Sequence, residues 1–272
     1  MGLHKEELKH LGEEGLIPGP DETDEAFVER IDILKKSSHP FFEGKTFEKW
    51  DPNYSDLLGA KPDWIPLNFS NKKLLPWQGG VMWALDGKVP MIQLRKGFKK
   101  GRFLMYSKEE VLLHETVHAL RLSFNEPQFE EILAYYLSDS KWRKWFGPLF
   151  RSPNQALFFV SLVLLSLVIQ VAPFFLLSSF IFPYIQWMTF LPFADLLLRF
   201  AILVKDHRTL KKTLKNLSKI FPRQKNVFPI AVRLKDSEIQ MFGIEEMEKS
   251  LEYIEKIAPK SLRWQQILAQ FC

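Results

Sequence analysis

The chain has 272 residues and a mass of 32.0 kDa, which suits one domain with an added segment or two small domains. Lys and Arg number 37 against 32 Asp and Glu, and no basic tract is interleaved with glycine and aromatic residues, so nucleic-acid binding is not expected. Apolar residues make up 46% of the chain, which excludes a disordered protein. The single cysteine, Cys272, excludes a disulfide framework and a cysteine-rich metal site.

Residues 1–50 are polar with mostly helical patterns, and we predict a helical N-terminal arm. The charged start lacks the apolar core of an export signal. Acidic residues at 21–24 indicate the start of a helix, and His39-Pro40 is expected to end it. The apolar stripe of this helix consists of Phe27, Ile31 and Leu34. We interpret the arm as a packing element, with an inhibitory pro-segment as the alternative.

Residues 51–150 are predicted to form one domain, and its first half has the patterns of a small antiparallel β-sheet. Residues 64–69 are short and extended. The segments 80–85 and 89–94 flank Asp86-Gly87, a dipeptide that favours a two-residue hairpin turn.

Two helices, at 107–123 and 128–142, follow the predicted sheet. Ser107 and Glu110 have the spacing of a capping box at the start of the first helix. The turn at Asn125-Glu126-Pro127 ends that helix and begins the second, because proline is favoured near a helix start. The pattern predicts a tight helical hairpin.

The 43 residues from 152 to 194 contain no charged side chain and no histidine. A membrane crossing needs about 20 helical residues, so this run predicts two spans, at about 155–175 and 182–203, with Pro173 and Pro183 near the middle. The predicted transmembrane hairpin thus occupies residues 154–204. Asp195 and Arg199, four residues apart, are expected to pair on one helix face.

Basic residues flank both predicted spans, and the tip between them has no charge. The flanking residues are Lys141, Arg143, Lys144, Arg151, Lys205, Arg208, Lys211, Lys212, Lys215 and Lys219. The positive-inside rule then predicts an integral membrane protein in a lipid bilayer, with both termini and the domain of residues 51–150 in the cytoplasm. Trp142 and Trp145 are expected near the membrane interface.

Residues 205–272 are predicted to form a small, mostly helical cytoplasmic tail. Phe228–Leu234 has the composition of a strand. Apolar residues then recur at helical spacing, at Ile244, Met247, Leu251, Ile254 and Ala258.

The sequence His114-Glu115-Thr116-Val117-His118 carries the clearest chemistry. Two histidines four residues apart lie on one face of a helix, where both imidazoles reach one zinc ion. Glu115 lies beside them and is able to take a proton from a zinc-bound water. We therefore expect Zn²⁺ as the cofactor.

A catalytic zinc site usually has three protein ligands and an open position. Glu130 and Glu131, on the second helix of the predicted hairpin, lie as far beyond its turn as His118 lies before it. The helical periodicity does not decide between these two glutamates. Arg121 is expected to pair with Glu130 or Glu126, with a substrate carboxylate as the alternative.

These features resemble the gluzincin zinc metallopeptidases, which carry HExxH on one helix and a ligand glutamate on the next. In several of their families, alanine follows the ligand glutamate at the third position, which describes Glu131 and Ala134 and not Glu130. The resemblance covers about residues 80–140 and implies that residues 51–150 form a zincin-like catalytic domain. Tyr135 stands where many gluzincins have an aspartate that supports a histidine ligand; we expect it to pack, with donation to a reaction intermediate as the alternative.

The resemblance implies zinc held by His114, His118 and Glu131, with Glu115 as the general base. The expected fold class is α+β: a small antiparallel sheet, a zinc-binding helical hairpin, a two-helix transmembrane hairpin and a mostly helical tail. The expected function is a membrane-anchored zinc metallopeptidase that hydrolyses peptide bonds on the cytoplasmic side. Its partner is a peptide or protein substrate, with another membrane protein as one possibility. The alternative is an inactive membrane scaffold that keeps a structural or vestigial metal site.

Overall fold

The structure is a computed structural model that describes residues 3–36, 47–76, 78–171 and 186–272. Two expectations from the sequence lie outside the described residues. They are the helix end at His39-Pro40 and the turn between the two apolar spans, with Pro173 and Pro183.

The described residues of the N-terminal part form the short helices α1 (Lys5–Glu13), α2 (Asp24–Lys35) and α3 (Ser55–Leu58). The Thr23 hydroxyl accepts a hydrogen bond from the N–H of Ala26 (3.3 Å) and caps α2 where the acidic residues predicted a helix start. The predicted apolar stripe of α2 is buried. It packs with apolar residues of the β-hairpin described next, including Leu85 and Val89.

The sheet has three strands, β1 (Leu67–Phe69), β2 (Gly80–Leu85) and β3 (Val89–Leu94), in the order β1-β3-β2. Strands β2 and β3 form the predicted antiparallel hairpin, and both turn residues, Asp86 and Gly87, have positive φ. However, β1 runs parallel to β3, so the sheet is mixed and the expectation of a purely antiparallel sheet is wrong. The reason is that β2 does not pair with β1, although it follows β1 in the chain; β3 lies between the two and pairs with both.

A second, very short hairpin precedes the helices, and the sequence did not predict it. It consists of β4 (Arg102–Phe103) and β5 (Tyr106–Ser107), with Leu104 and Met105 at its tip. Helix α4 (Lys108–Leu120) follows directly, and the Ser107 hydroxyl accepts from the N–H of Glu110 (3.1 Å) as predicted. The Glu110 carboxylate departs from the capping box, since it binds Ser138 and Arg143 instead.

Helix α5 (Pro127–Tyr136) runs back along α4 after a turn in which Asn125 has a positive φ of 50°. The predicted second helix, 128–142, is wrong in its extent because the chain leaves α5 after Tyr136. Ser140 then caps a separate helix, α6 (Lys141–Phe146), by accepting from the N–H of Arg143.

Among the described residues, two helices are long and apolar enough to cross a membrane: α7 (Pro153–Val171) and the segment Trp187–Ile220, of which α8 (Leu191–Ile220) is the α-helical part. Only 11% and 6% of their apolar windows are buried by the rest of the chain, so their side chains face outward. Helix α8 extends well beyond the predicted end of the second span. The predicted pair is present, since Arg199 Nε donates to Asp195 Oδ2 over 2.6 Å.

The C-terminal part is helical: α9 (Phe228–Val232), α10 (Asp236–Ile244), α11 (Met247–Ile257) and α12 (Leu262–Phe271). The predicted strand at Phe228–Leu234 is therefore wrong. Pro229 stands in the first turn of α9, where proline favours a helix, and the apolar residues of the segment are all buried. Of the predicted helical stripe, Ile254 and Ala258 are buried, whereas Ile244 is 77% exposed.

The largest hydrophobic core joins the α4–α5 hairpin to the C-terminal helices. Val117 and Phe129 from the hairpin and Ile230 and Trp264 from the C-terminal part are all fully buried in it. Residues from the predicted catalytic domain and from the predicted tail thus share one apolar interior, and the tail supports the hairpin.

Arg121 provides a polar link between the same two regions. Its side chain is buried, its Nη1 donates to the carbonyls of Val232 (2.7 Å) and Leu234 (2.9 Å), and its Nη2 lies 3.5 Å from Asp236 Oδ1. The expected ion pair of Arg121 with a hairpin glutamate is therefore replaced by one with a residue more than a hundred positions later in the chain.

We predict that Asp236→Ala lowers the free energy of unfolding by about 3–5 kcal/mol, because Arg121 is left buried without its carboxylate. The variant also loses the acceptor for the Gln128 N–H at the start of α5. Denaturant unfolding in detergent micelles measures the change. Asp139→Ala, at an exposed site, is the control and should stay within about 0.5 kcal/mol of the wild type. A change of that size in Asp236→Ala would contradict a structural role for the pair.

Candidate metal centre

Helix α4 presents His114 and His118 one turn apart on the face that is turned towards α5. Their Nε2 atoms lie 3.2 Å from each other. The ring of His114 also hydrogen-bonds the backbone of Ala134, on α5. Burial and the nearby His118 hold the pKa of His114 well below its usual value, so the ring is neutral and its Nε2 lone pair is free to bind a cation.

Glu131 on α5 completes a group of three ligand atoms. Its Oε2 lies 3.7 Å from His114 Nε2, and its Oε1 lies 3.6 Å from His118 Nε2. Ligands at about 2.0–2.1 Å from a tetrahedral zinc ion are roughly 3.3–3.4 Å apart. The separations in the chain are close to that value, so the three side chains fit around one zinc ion with small movements.

Glu130 has a different position from its neighbour, and it orients a histidine. Its Oε1 lies 2.7 Å from His118 Nδ1, the nitrogen that faces away from the ligand group. A carboxylate at that nitrogen fixes the ring orientation and makes the opposite nitrogen a stronger ligand. Glu130 thus binds His118, whereas Arg121, its expected partner, lies beside Asp236.

Glu115 lies beside the three ligands with its carboxylate in the protein interior; the residue is 7% exposed. Burial is the main cause that raises its pKa to about 7, and Glu131 adds to the increase. His118 and a hydrogen bond from the backbone N–H of Met82, on β2, act in the opposite direction. Because the carboxyl titrates near neutral pH, it is suited to accept and return a proton.

The charge balance around the group favours a cation. Burial raises the pKa of Glu131 as well as that of Glu115, although His118 acts against both increases. Burial opposes the charged form of His118, but Glu131, Glu130 and Glu115 raise its pKa to about 9, so the nearby carboxylates favour a positive charge at this position. Within the described parts of the chain, no lysine or arginine forms an ion pair with either carboxylate. A divalent cation between the histidines and Glu131 would supply that charge, so the donor set and its electrostatics both fit a metal.

The group opens into a cleft of about 520 Å³. One wall is formed by residues 78–82, which include the start of the edge strand β2, and another by α4 and α5. A further wall, which the sequence did not indicate, comes from residues 150–153 and Ala156, where the chain enters the apolar helix α7. Only proximity in space reveals this wall, since it lies far along the chain from the histidine motif.

Tyr135 is the aromatic residue closest to the ligands. Its ring centroid lies 4.4 Å from that of His114, and it lines the cleft. Burial and the nearby Glu131 raise its pKa, so the hydroxyl keeps its proton. Gly147 permits the ring to lie there, since a Cβ atom at that position would be 2.6 Å from the tyrosine ring.

The four residues predicted for the site, His114, Glu115, His118 and Glu131, all line this cleft, and the ligand atoms of the two histidines and Glu131 lie within 4.8 Å of one another. Comparisons of the chain with protein-family models, with curated proteins and with solved structures found no match. The chemistry of the site is therefore inferred from the identity and geometry of its own residues.

We predict that Glu131→Ala abolishes zinc retention, because it removes one of three ligands. Glu130→Ala should weaken zinc binding by about ten- to a hundredfold, the range for a residue that orients a ligand. Metal analysis after purification and a competition titration with a zinc chelator measure both effects. Glu109→Ala, at an exposed site of α4, is the matched control and should bind zinc like the wild type. Retained zinc in Glu131→Ala together with loss in Glu130→Ala would reverse the two assignments.

Proposed function

We propose that the protein is a membrane-anchored zinc metallopeptidase that hydrolyses peptide bonds on the cytoplasmic side of the membrane. The convergence of His114, His118 and Glu131 on one point, beside the buried carboxyl of Glu115, is the observation that carries the proposal. The two imidazoles and one carboxylate are the donor set of many catalytic zinc sites, which leave a further position open.

Zinc in this site would lower the pKa of a water molecule and polarise the carbonyl of the substrate. Glu115 supplies the proton chemistry of the reaction. Its carboxylate accepts a proton from the water that attacks the peptide carbonyl and then delivers that proton to the leaving amine. The hydrogen bond from Met82 holds this carboxylate at the floor of the cleft, and its pKa near neutrality suits both transfers.

The shape of the cleft supports a peptide as the substrate. Strand β2 is an edge strand of its sheet and forms one wall next to Glu115. An edge strand has unpaired backbone N–H and C=O groups, to which an extended peptide binds through main-chain hydrogen bonds. Such binding would lay the peptide across the ligand group with little dependence on its side chains.

The position of the cleft supports a substrate near the membrane. Residues 150–153 belong both to the cleft and to the entry into α7, one of the two helices long enough to cross a bilayer. The basic residues that flank both apolar helices favour the cytoplasm for the cleft. A cytoplasmic segment of another membrane protein would reach the cleft without leaving the membrane surface.

We predict that Glu115→Gln lowers turnover of casein or a peptide library by about 10²–10⁴-fold, the usual contribution of a general base. The amide keeps the size of the side chain but does not accept the proton, so zinc content should be unchanged. Turnover and metal content are measured on the full chain in detergent, with His114→Ala as the control that loses the metal. Zinc in wild type and Glu115→Gln with turnover in neither would instead favour a membrane scaffold with a structural metal site.

Tyr135 is the residue we propose as the hydrogen-bond donor to the oxygen that becomes negative during the attack. Its hydroxyl keeps its proton, and its ring contacts His114 at the cleft. We predict that Tyr135→Phe lowers kcat by about 10²–10³-fold, as for other donors of this kind, with little change in zinc affinity. Steady-state kinetics and zinc titration of the variant measure the two effects. An unchanged kcat would leave Tyr135 with a packing role alone.

A further inference from the structure

The tip of the β4–β5 hairpin presents two large apolar side chains to the outside. Leu104 is 80% exposed and Met105 is 77% exposed. Leu104 also has a positive φ of 53°, which a branched side chain rarely adopts. Two-residue hairpin turns favour asparagine, aspartate and glycine, as at the β2–β3 turn. Leu104 therefore disfavours the turn in water. Because its side chain is exposed, no burial of apolar surface offsets the strain of the backbone.

The neighbouring helix α6 has the composition of a helix that lies at a membrane surface. Trp142 is 68% exposed and Trp145 is 47% exposed, and they alternate with Lys141 and Lys144. Tryptophan and lysine together favour the boundary between lipid chains and headgroups, with the indole in the apolar layer and the ammonium in water.

Contacts with α8 show at which height along the apolar helices α6 lies. Phe146 stacks on Phe200, in the apolar stretch 200–204 of α8 that follows Arg199, with ring centroids 6.0 Å apart. Trp145 lies 4.6 Å from the ring of His207, in the charged part of α8. Helix α6 thus lies where α8 changes from apolar to charged, which is the level of a bilayer surface.

Arg143 holds the hairpin tip at the same level. Its Nη1 donates to the carbonyl of Met105 (3.5 Å), and its guanidinium lies 4.7 Å from the ring centroid of Tyr106. The same guanidinium binds the Glu110 carboxylate of α4 through Nε and Nη2 at 2.9 and 2.6 Å. The hairpin tip, α6 and the first turn of α4 are therefore joined by one side chain.

We propose that Leu104 and Met105 insert into the membrane interface beside α6, so that a lipid surface is the partner of this hairpin. The basic side chains next to the tip, Arg102 and Lys100, suit the headgroups of anionic lipids. Insertion transfers two apolar side chains out of water, and the favourable free energy of this transfer offsets the strain of the turn. The proposal depends on the apolar helices and is independent of zinc and of peptidase activity.

The test measures the depth of single positions in the full chain. Cys272 is the only cysteine, so a Cys272→Ser background permits one labelled cysteine at a time. Leu104→Cys and Met105→Cys are labelled with an environment-sensitive fluorophore after reconstitution into phosphatidylcholine–phosphatidylglycerol vesicles. We expect quenching by lipids that carry a nitroxide on the upper acyl chain, at least threefold stronger than at Lys88→Cys, the polar control on the β2–β3 turn.

Leu164→Cys, in α7, reports whether the apolar helices themselves are inserted. Quenching at Leu164 with none at the hairpin tip would overturn the proposal, and absence of quenching at all these positions would overturn it together with the membrane spans. If the tip stays unquenched and the double variant Leu104→Ser, Met105→Ser loses casein turnover in detergent, the tip contacts a protein substrate instead of lipid, which also overturns the proposal.

Discussion

The alignment of α4 with α5 depends on Asp236, which is bound to both helices at the closed end of their hairpin. Its carboxylate accepts from the N–H groups of Gln128 (2.7 Å) and Phe129 (3.4 Å), the first turn of α5, and lies 3.5 Å from the guanidinium of Arg121, directly after α4. Arg121 in turn is held by two carbonyls of the C-terminal part. The tail thereby fixes the relative position of the two helices that carry the ligands.

A second contact, one turn away, transmits this alignment to the ligand group. His118 precedes Arg121 by three residues, and its Nδ1 is bound by Glu130 on α5. The bond turns the ring so that its Nε2 faces His114 and Glu131. The two adjacent glutamates therefore have different roles: Glu130 orients the imidazole ring of His118, and Glu131 supplies a ligand atom. Neither assignment would hold if α5 were rotated by one residue, since neighbouring helix positions point about 100° apart.

An element could be predicted from the sequence when the residues that form it are neighbours in the chain, and could not be predicted when they are far apart in the chain. The helix of the histidine motif and the β2–β3 turn are each specified by contiguous residues, and both are found where the local pattern places them. The two apolar helices overlap the predicted spans within the described residues, although the second continues to Ile220. The choice of Glu131 over Glu130 came from a resemblance, because both glutamates fit the helical period. In contrast, the partner of Arg121 lies more than a hundred residues away, and no local pattern indicates it. The same applies to β1, whose direction relative to β3 is set by the path of a loop.

Short elements were missed for a different reason. Strands β4 and β5 have two residues each, too few for an alternation of apolar and polar side chains to be visible. Residues 228–232 are apolar throughout because they are buried on all sides, so the same run is compatible with a buried strand or a buried helix.

If α6 lies at the membrane surface, as proposed, its contact with α4 determines how far the ligand group lies from the bilayer. Glu110, which binds Arg143 of α6, precedes His114 by four residues and His118 by eight. A helix rises about 1.5 Å per residue, so the two histidines lie at most roughly 6 and 12 Å from that contact. An extended chain advances about 3.3 Å per residue and would cover this distance with roughly two to four residues. Under the proposed peptidase function, a peptide bond only a few residues outside the bilayer would therefore reach the site without any unfolding of its transmembrane segment. A folded domain so close to the surface would be kept out of the cleft by its own bulk.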